Sequence, residues 1–155
     1  MDDEFKNLSS TIESKVNEIN AKITLGMKSR GYRAANELRN ASQQVLRGKR
    51  SGRRYRVPGT RRMYTASAPG EPPAIRTGTF RNSWQAKTES SGTIGNMSVR
   101  SYIESSVRTD NGKYSLGKIL EEGSPGGKIA PRPYKKKIQE KALPRIKKVY
   151  REPYL

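Results

Sequence analysis

The stretch APGEPPAIRTGTFRNSW, Ala68 to Trp84, divides the chain: helical and basic patterns lie before it, and strand-like then helical patterns follow it. Pro69, Pro72 and Pro73 fix their own φ angles and push the residues before them into extended conformation, so the segment reads as a stiff approach to an ordered unit. That unit starts at Thr77-Gly78, where the glycine permits a tight turn. From Thr79 to Trp84 polar and apolar side chains alternate, which predicts a strand. The chain has one Trp and two Phe. Residues this scarce and this apolar are expected in the interior, which places the start of the core at Phe80 and Trp84.

Upstream, Ile12, Val16, Ile19, Ile23, Met27, Ala35, Leu38, Ser42 and Val45 recur by threes and fours, with Gly31 filling the gap. This predicts a helix over residues 10–46 with one narrow apolar stripe, suited to a sheet face or a neighbouring subunit. Ser10 and Glu13 have the spacing of a capping box, and Asp2, Asp3 and Glu4 place negative charge at the positive end of the dipole. Gly26 and Gly31 each cost a helix about 1 kcal/mol relative to Ala, so a bend or break near Gly31 is the alternative. Gly48 ends the helix.

The next segment carries Arg47, Lys49, Arg50, Arg53, Arg54, Arg56, Arg61 and Arg62 with no acid among them. Its Gly and Pro discourage regular structure and its like charges favour extension, so residues 47–76 read as a basic, Pro-rich arm. Tyr55 and Tyr64 add flat groups that can stack. Such an arm suits the phosphate backbone of a nucleic acid, bound without regard to sequence, or an acidic protein surface.

Downstream of Trp84, Thr93 to Arg100 and Tyr102 to Arg108 read as strands ended by the turn Asp110-Asn111-Gly112, and with the Phe80 strand they predict an antiparallel sheet of three to four strands. Leu116, Ile119 and Leu120 share the face of a short helix stopped by Gly123. A basic helix over 135–150 closes the chain, with Ile138, Ala142, Ile146 and Val149 inward and Pro144 kinking or splitting it. The expected class is α+β, one domain across 1–155: long helix 10–46, arm 47–76, sheet core 77–134, closing helix 135–150.

Composition narrows the chemistry. The 155 residues are 32% hydrophobic and 30% charged, with 14 Gly and 9 Pro, which is thin for a lone compact domain and favours oligomerisation. The net charge of +18 calls for acidic partners: nucleic acid, an anionic surface or acidic protein. With no Cys and no His, thiolate chemistry and the commonest general base and metal ligand are missing. Gly126-Gly127-Lys128 fails as a phosphate-binding loop, because Glu122 holds the first required glycine position and Ile129 follows the lysine. Adjacent Glu121 and Glu122 point in different directions on either a helix or a strand, so they form no acid/base pair, and no spacing singles out a Ser–Lys dyad. No enzymatic activity, cofactor or metal is expected. No apolar run approaches a membrane span and the start is acidic, so the expected location when made is inside the cell, with no membrane partner.

Three motifs in order then carry a resemblance. Thr77-Gly78-Thr79-Phe80-Arg81-Asn82-Ser83-Trp84 follows the proline-rich approach, Glu121-Glu122-Gly123-Ser124 comes after the strands, and Ala130-Pro131-Arg132-Pro133-Tyr134 precedes the closing helix. Together with the long first helix they resemble the head-tail joining, or tail-completion, proteins of lambdoid HK-type siphophages over residues 10 to 150. The chain departs from that pattern at Glu122, where an aromatic is usual, at Trp84, which replaces an aliphatic residue, and in its longer basic arm. The resemblance implies a structural virion protein forming a homo-oligomeric ring at the neck, as a connector or tail terminator, after assembly in the host cytoplasm. Its partners would be other connector, stopper and tail-tube proteins, with genomic double-stranded DNA in the lumen. It further implies fold and assembly roles for Thr77, Gly78, Phe80, Arg81, Ser83, Glu121, Gly123, Arg132, Pro133 and Tyr134, to which Trp84, expected in the interior, is added, and the chemistry of these residues suggests that Arg81 or Arg132 pairs with Glu121. The alternative is a stand-alone, sequence-independent nucleic-acid-binding protein, ribosomal or chromatin-like.

Overall fold

The computed structural model describes residues 2–154. Its elements run α1 (Asp2–Arg47), β1 (Arg54–Arg56), β2 (Met63–Thr65), α2 (Thr79–Asn82), β3 (Gln85–Ser91), β4 (Ser98–Glu104), α3 (Leu116–Glu122) and α4 (Lys135–Arg151). The class is α+β, with the strands in two separate antiparallel hairpins, β1–β2 and β3–β4.

The first helix is longer than its apolar stripe predicts, 46 residues and about 69 Å. Because it starts at Asp2, Ser10 lies inside it: the hydroxyl donates to the Asn7 carbonyl instead of capping an end. The helix also passes Gly31 without a break. A Cβ at Gly31 would stand 2.4 Å from Val99 Cγ1 and 2.9 Å from Thr88 Cγ2, so the glycine is where β3–β4 crosses the helix backbone. Ser101 Oγ donates to the Gly31 carbonyl at 2.7 Å and fixes that crossing.

The hairpin β3–β4 meets α1 with one face. Ala86↔Ile103, Thr88↔Ser101 and Ser90↔Val99 are cross-strand partners on that side. Strand alternation sends Lys87, Glu89, Tyr102 and Glu104 to the other face. There Lys87 pairs with Glu104, and the Tyr102 hydroxyl donates to Glu89 at 2.6 Å. These bounds correct the strands expected at Thr93–Arg100 and Tyr102–Arg108, since residues 92–97 form the turn, where Gly92 and Gly95 hold φ near +88° and +91°. The expected Phe80 strand is instead the single turn of α2.

The main core is where α4 packs on the second half of α1. Ala41 and Leu46 of α1 meet Trp84, Tyr134, Ile138 and Ala142, with Leu38, Val45, Phe80, Ile103, Leu120 and Ile146 around them. Ala34, Ala35 and Ser42 are also buried and keep the α1 surface low enough for a close approach. Helix α4 runs antiparallel to α1: Ile138 lies in the cluster with Leu46, Arg145 reaches Glu37, and Glu152 meets Arg33. It continues through Pro144 without splitting, burying Ile138, Ala142 and Val149 as its period predicts.

Helix α3 stops at Gly123, φ +87°, and its Glu121 then serves α4. Glu121 Oε2 accepts from the Tyr134 and Lys135 backbone N–H groups at 2.9 and 3.2 Å. The first turn of α4 holds three lysines at the positive end of its dipole, so a carboxylate supplied from outside is what that end requires.

Candidate nucleic-acid interface

Between α1 and α2 the chain departs from the extended arm that its charge predicts. Residues Gly52 to Ala66 form a hairpin in which Arg54↔Thr65, Tyr55↔Tyr64 and Arg56↔Met63 are partners. Backbone bonds continue the ladder at both ends, with Gly52 donating to Ala66 at 2.9 Å, Ala66 to Arg53 at 2.9 Å and Val57 to Arg62 at 2.8 Å. Two features overcome the repulsion. The Tyr55 and Tyr64 rings lie 6.0 Å apart on one face, and Val57 is buried at the turn into the tip. The tip, Pro58 to Arg61, is held by Thr60, whose hydroxyl donates to the Val57 carbonyl and accepts from the Arg62 N–H.

The hairpin base is fastened by two side chains. Arg50 turns inward: its guanidinium donates to the carbonyls of Pro72 (2.7 Å), Pro73 (3.0 Å), Val45 (2.9 Å) and Gly48 (2.6 Å). It thereby satisfies free carbonyls at the end of α1 and ties the proline segment to them. Arg50 is therefore a structural clamp rather than one of the partner-facing charges expected from the sequence. Glu71 closes the other side, accepting from the Ser51 hydroxyl (2.6 Å), the Ser51 N–H (3.1 Å) and the Ala68 N–H (2.8 Å). These bonds, the Ser51 hydroxyl foremost, lower its carboxyl to about 2.

What the clamps hold outward is a dense set of cations. Arg47, Lys49, Arg53, Arg54, Arg56, Arg61 and Arg62 are all exposed, and among the described residues none of them is in an ion pair. Arg54 and Arg56 project from one face of β1. Tyr55 projects from the other, half-exposed, with the Arg53 guanidinium 6.0 Å above its ring. A two-stranded ribbon edged with guanidinium groups and carrying an exposed aromatic can meet phosphates on one face and stack on the other.

The motif residues gather elsewhere. Phe80, Trp84 and Tyr134 form a mutual edge-to-face triad with centroids 5.5 to 5.8 Å apart, and the Tyr134 hydroxyl donates to the Gly117 carbonyl at 2.9 Å. Burial, reinforced by the Glu121 charge, raises that phenol well above its ordinary value. Gly78 holds φ +87° at the start of α2, where Thr77 Oγ1 accepts from the Thr79 N–H. Ser83 bonds Ser105 across to the strand side at 2.6 Å. Pro133 leads into Tyr134 from Arg132, whose N–H donates to the Leu120 carbonyl at 2.6 Å. Glu121 pairs with neither arginine: Arg81 donates to Asn82 and Arg132 to the Ser67 carbonyl, because the carboxylate is committed to the end of α4.

The C-terminal tail adds contacts that the sequence reading missed. Arg33 grips Glu152 with two bonds of 2.5 and 2.7 Å, and Arg30 lies 3.4 Å over the Tyr154 ring while bonding the Glu152 carbonyl. No periodic signal marks Glu152 or Tyr154, so only the folded chain brings them to α1. Among the described residues no helix is long and apolar enough to cross a membrane, and no cluster of His, Cys, Asp or Glu could hold a metal ion. Comparison with known proteins gives no matching family model, no matching curated protein and no matching solved structure.

Proposed function

We propose that this chain is a non-enzymatic structural subunit of a tailed-phage neck, assembling into a homo-oligomeric ring that joins the DNA-filled head to the tail. The observation that carries the reading is the convergence of the three motif segments: α2 with Trp84, the end of α3 at Glu121, and Pro133-Tyr134 meet around one aromatic triad, so motifs distant in sequence act as one unit. The basic hairpin fits a subunit bordering a DNA path, and the thin core fits a subunit that buries further surface against neighbours. The carbonyl clamp at Arg50 and the Glu71 bonds hold the hairpin rigidly to that core.

Negative-stain imaging and native mass spectrometry of the purified chain without nucleic acid test this. Closed rings of a single stoichiometry are the expected result. A chain that stays monomeric at high concentration and associates only when DNA or RNA is added moves the function to a stand-alone nucleic-acid-binding protein, the reading favoured by the hairpin taken alone.

A further inference from the structure

Residues 3–19 of α1 are all exposed. Phe5, Leu8, Ile12, Val16 and Ile19 form one stripe on it and are between 43% and 69% exposed, whereas the same helix from Arg30 onward is the centre of the fold. A free helical segment of some 20 residues is marginal in water, because most helix stability in proteins comes from packing an apolar face. The stripe therefore calls for a cover. The charge distribution indicates what that cover is. Residues 1–22 carry five acids and three lysines, a side-chain charge of −2 within a chain whose net charge is +18, so the remaining residues carry +20. Two of those lysines, Lys15 and Lys22, turn onto Glu18, and among the described residues Asp3, Glu4 and Glu13 have no ion pair. The projecting helix is thus the acidic, apolar part of an otherwise strongly basic chain.

A receptor of matching chemistry lies further along the molecule, where α4 packs on the second half of α1. Leu143, 49% exposed on α4, separates two open grooves. One, of about 430 Å³, runs between α4 and Leu38 of α1 over Ile146; the other, of about 290 Å³, is bordered by Pro144, Lys147 and Arg151. Both have apolar floors; Lys136, Lys147 and Arg151 stand at their edges against a single lining acid, Glu140, which lies 4.0 Å from Lys136.

We infer that the N-terminal half of α1 from one subunit lays its Phe5–Ile19 stripe into the Leu38–Leu143–Ile146 groove of a second copy of this chain. The inference rests on the reading of the chain as a self-assembling subunit and names the surfaces that join. Apolar contact supplies the adhesion, and the acidic flanks against a basic rim set the partner's identity and offset the repulsion between two highly positive subunits. Knob and socket are built from different residues, so the contact is heterologous and each subunit can both give and receive.

The chain has no cysteine, which leaves a clean background for cross-linking. Ile12→Cys and Leu143→Cys, both at exposed positions, are prepared separately, mixed and oxidised; a disulfide between the two variants is expected. Val16→Asp and Leu143→Asp are then examined singly and mixed by sedimentation, with circular dichroism verifying that each is folded. Each alone should sediment at the 17.4 kDa monomer mass. The mixture, which retains one intact knob and one intact socket, should give a dimer and nothing larger. Disulfides only between two Ile12→Cys chains mean that the stripe pairs with itself, and overturn the proposal. If both Asp variants form the wild-type assembly, the docking is wrong while the ring reading stands. A wild-type chain monomeric at every concentration defeats both.

Discussion

At Gly31 two preferences of the chain oppose each other. In a helix interior Ala is favoured over Gly by about 1 kcal/mol. The added methyl would stand 2.4 Å from Val99 Cγ1 and 2.9 Å from Thr88 Cγ2, both on stiff β-branched side chains, and such overpacking costs about 1–3 kcal/mol. Contact outweighs propensity, so Gly31→Ala should lower the urea midpoint of unfolding, whereas Gly26→Ala, which meets only the edge of the Tyr154 ring at 3.2 Å, should change it less. Glu71 makes a second prediction. Its folded-state carboxyl is lowered to about 2, so its contribution is full above the ordinary carboxylate value of 4.5 and is lost as pH falls through about 2. The amide resonances of Ser51 and Ala68 should titrate with a midpoint at about 2, and Glu71→Gln should abolish that titration. Sequence reading takes Gly31 only as a possible break in the helix and assigns Glu71 no role, because what fixes their roles includes a partner at least 20 positions away.

Element by element, legibility follows period and length. Helices α1 and α4 are readable because their apolar residues repeat over several turns, and the seven-residue α3 from one apolar face and its stop at Gly123; of the four residues that the period of α4 sends inward, Ile138, Ala142 and Val149 are buried and Ile146 is half-buried. Strands of three residues carry no period, so β1 and β2 were hidden inside a run of arginines. For β3–β4 the β-branched character of Thr93 and Ile94 suggested strand, but Gly92 and Gly95 put the turn there; the glycines were the better signal. The aromatic core at Phe80 and Trp84 was legible from scarcity alone, although the turn of helix carrying Phe80 was not. The end of α4 shows what a tertiary cap adds. Glu121 serves two N–H groups beside three lysines that oppose the dipole, so Glu121→Ala should cost about 1–2 kcal/mol in urea unfolding, with faster hydrogen exchange at Tyr134 and Lys135. Glu121→Gln, which keeps an acceptor and loses the charge, should fall between. Equal stability of all three proteins would remove the cap from the account.

Across the whole molecule, charge is sorted rather than spread. Five of the fourteen acids fall within residues 1–22, while among the described residues unpaired cations crowd the hairpin and α4, so on the proposed reading assembly and polyanion binding would engage different surfaces of one chain. The hairpin's part can be isolated by salt. Each phosphate neutralised on duplex DNA contributes about 0.9 to the slope of log affinity against log salt. Arg53, Arg54 and Arg56 are exposed and, among the described residues, without ion pairs, so their replacement by Ser should weaken binding to duplexes of unrelated sequence alike and make the slope shallower by about 2.7, with the unfolding midpoint nearly unchanged. Arg50→Ser is the informative contrast. Its guanidinium bonds the carbonyls of Val45, Gly48, Pro72 and Pro73, so its loss should lower stability and loosen the hairpin without subtracting a phosphate contact of its own. An unchanged slope in the triple variant would assign the arginines to an acidic protein neighbour. A slope that falls as much for Arg50→Ser would mean that hairpin rigidity, rather than the individual charges, governs the contact with DNA.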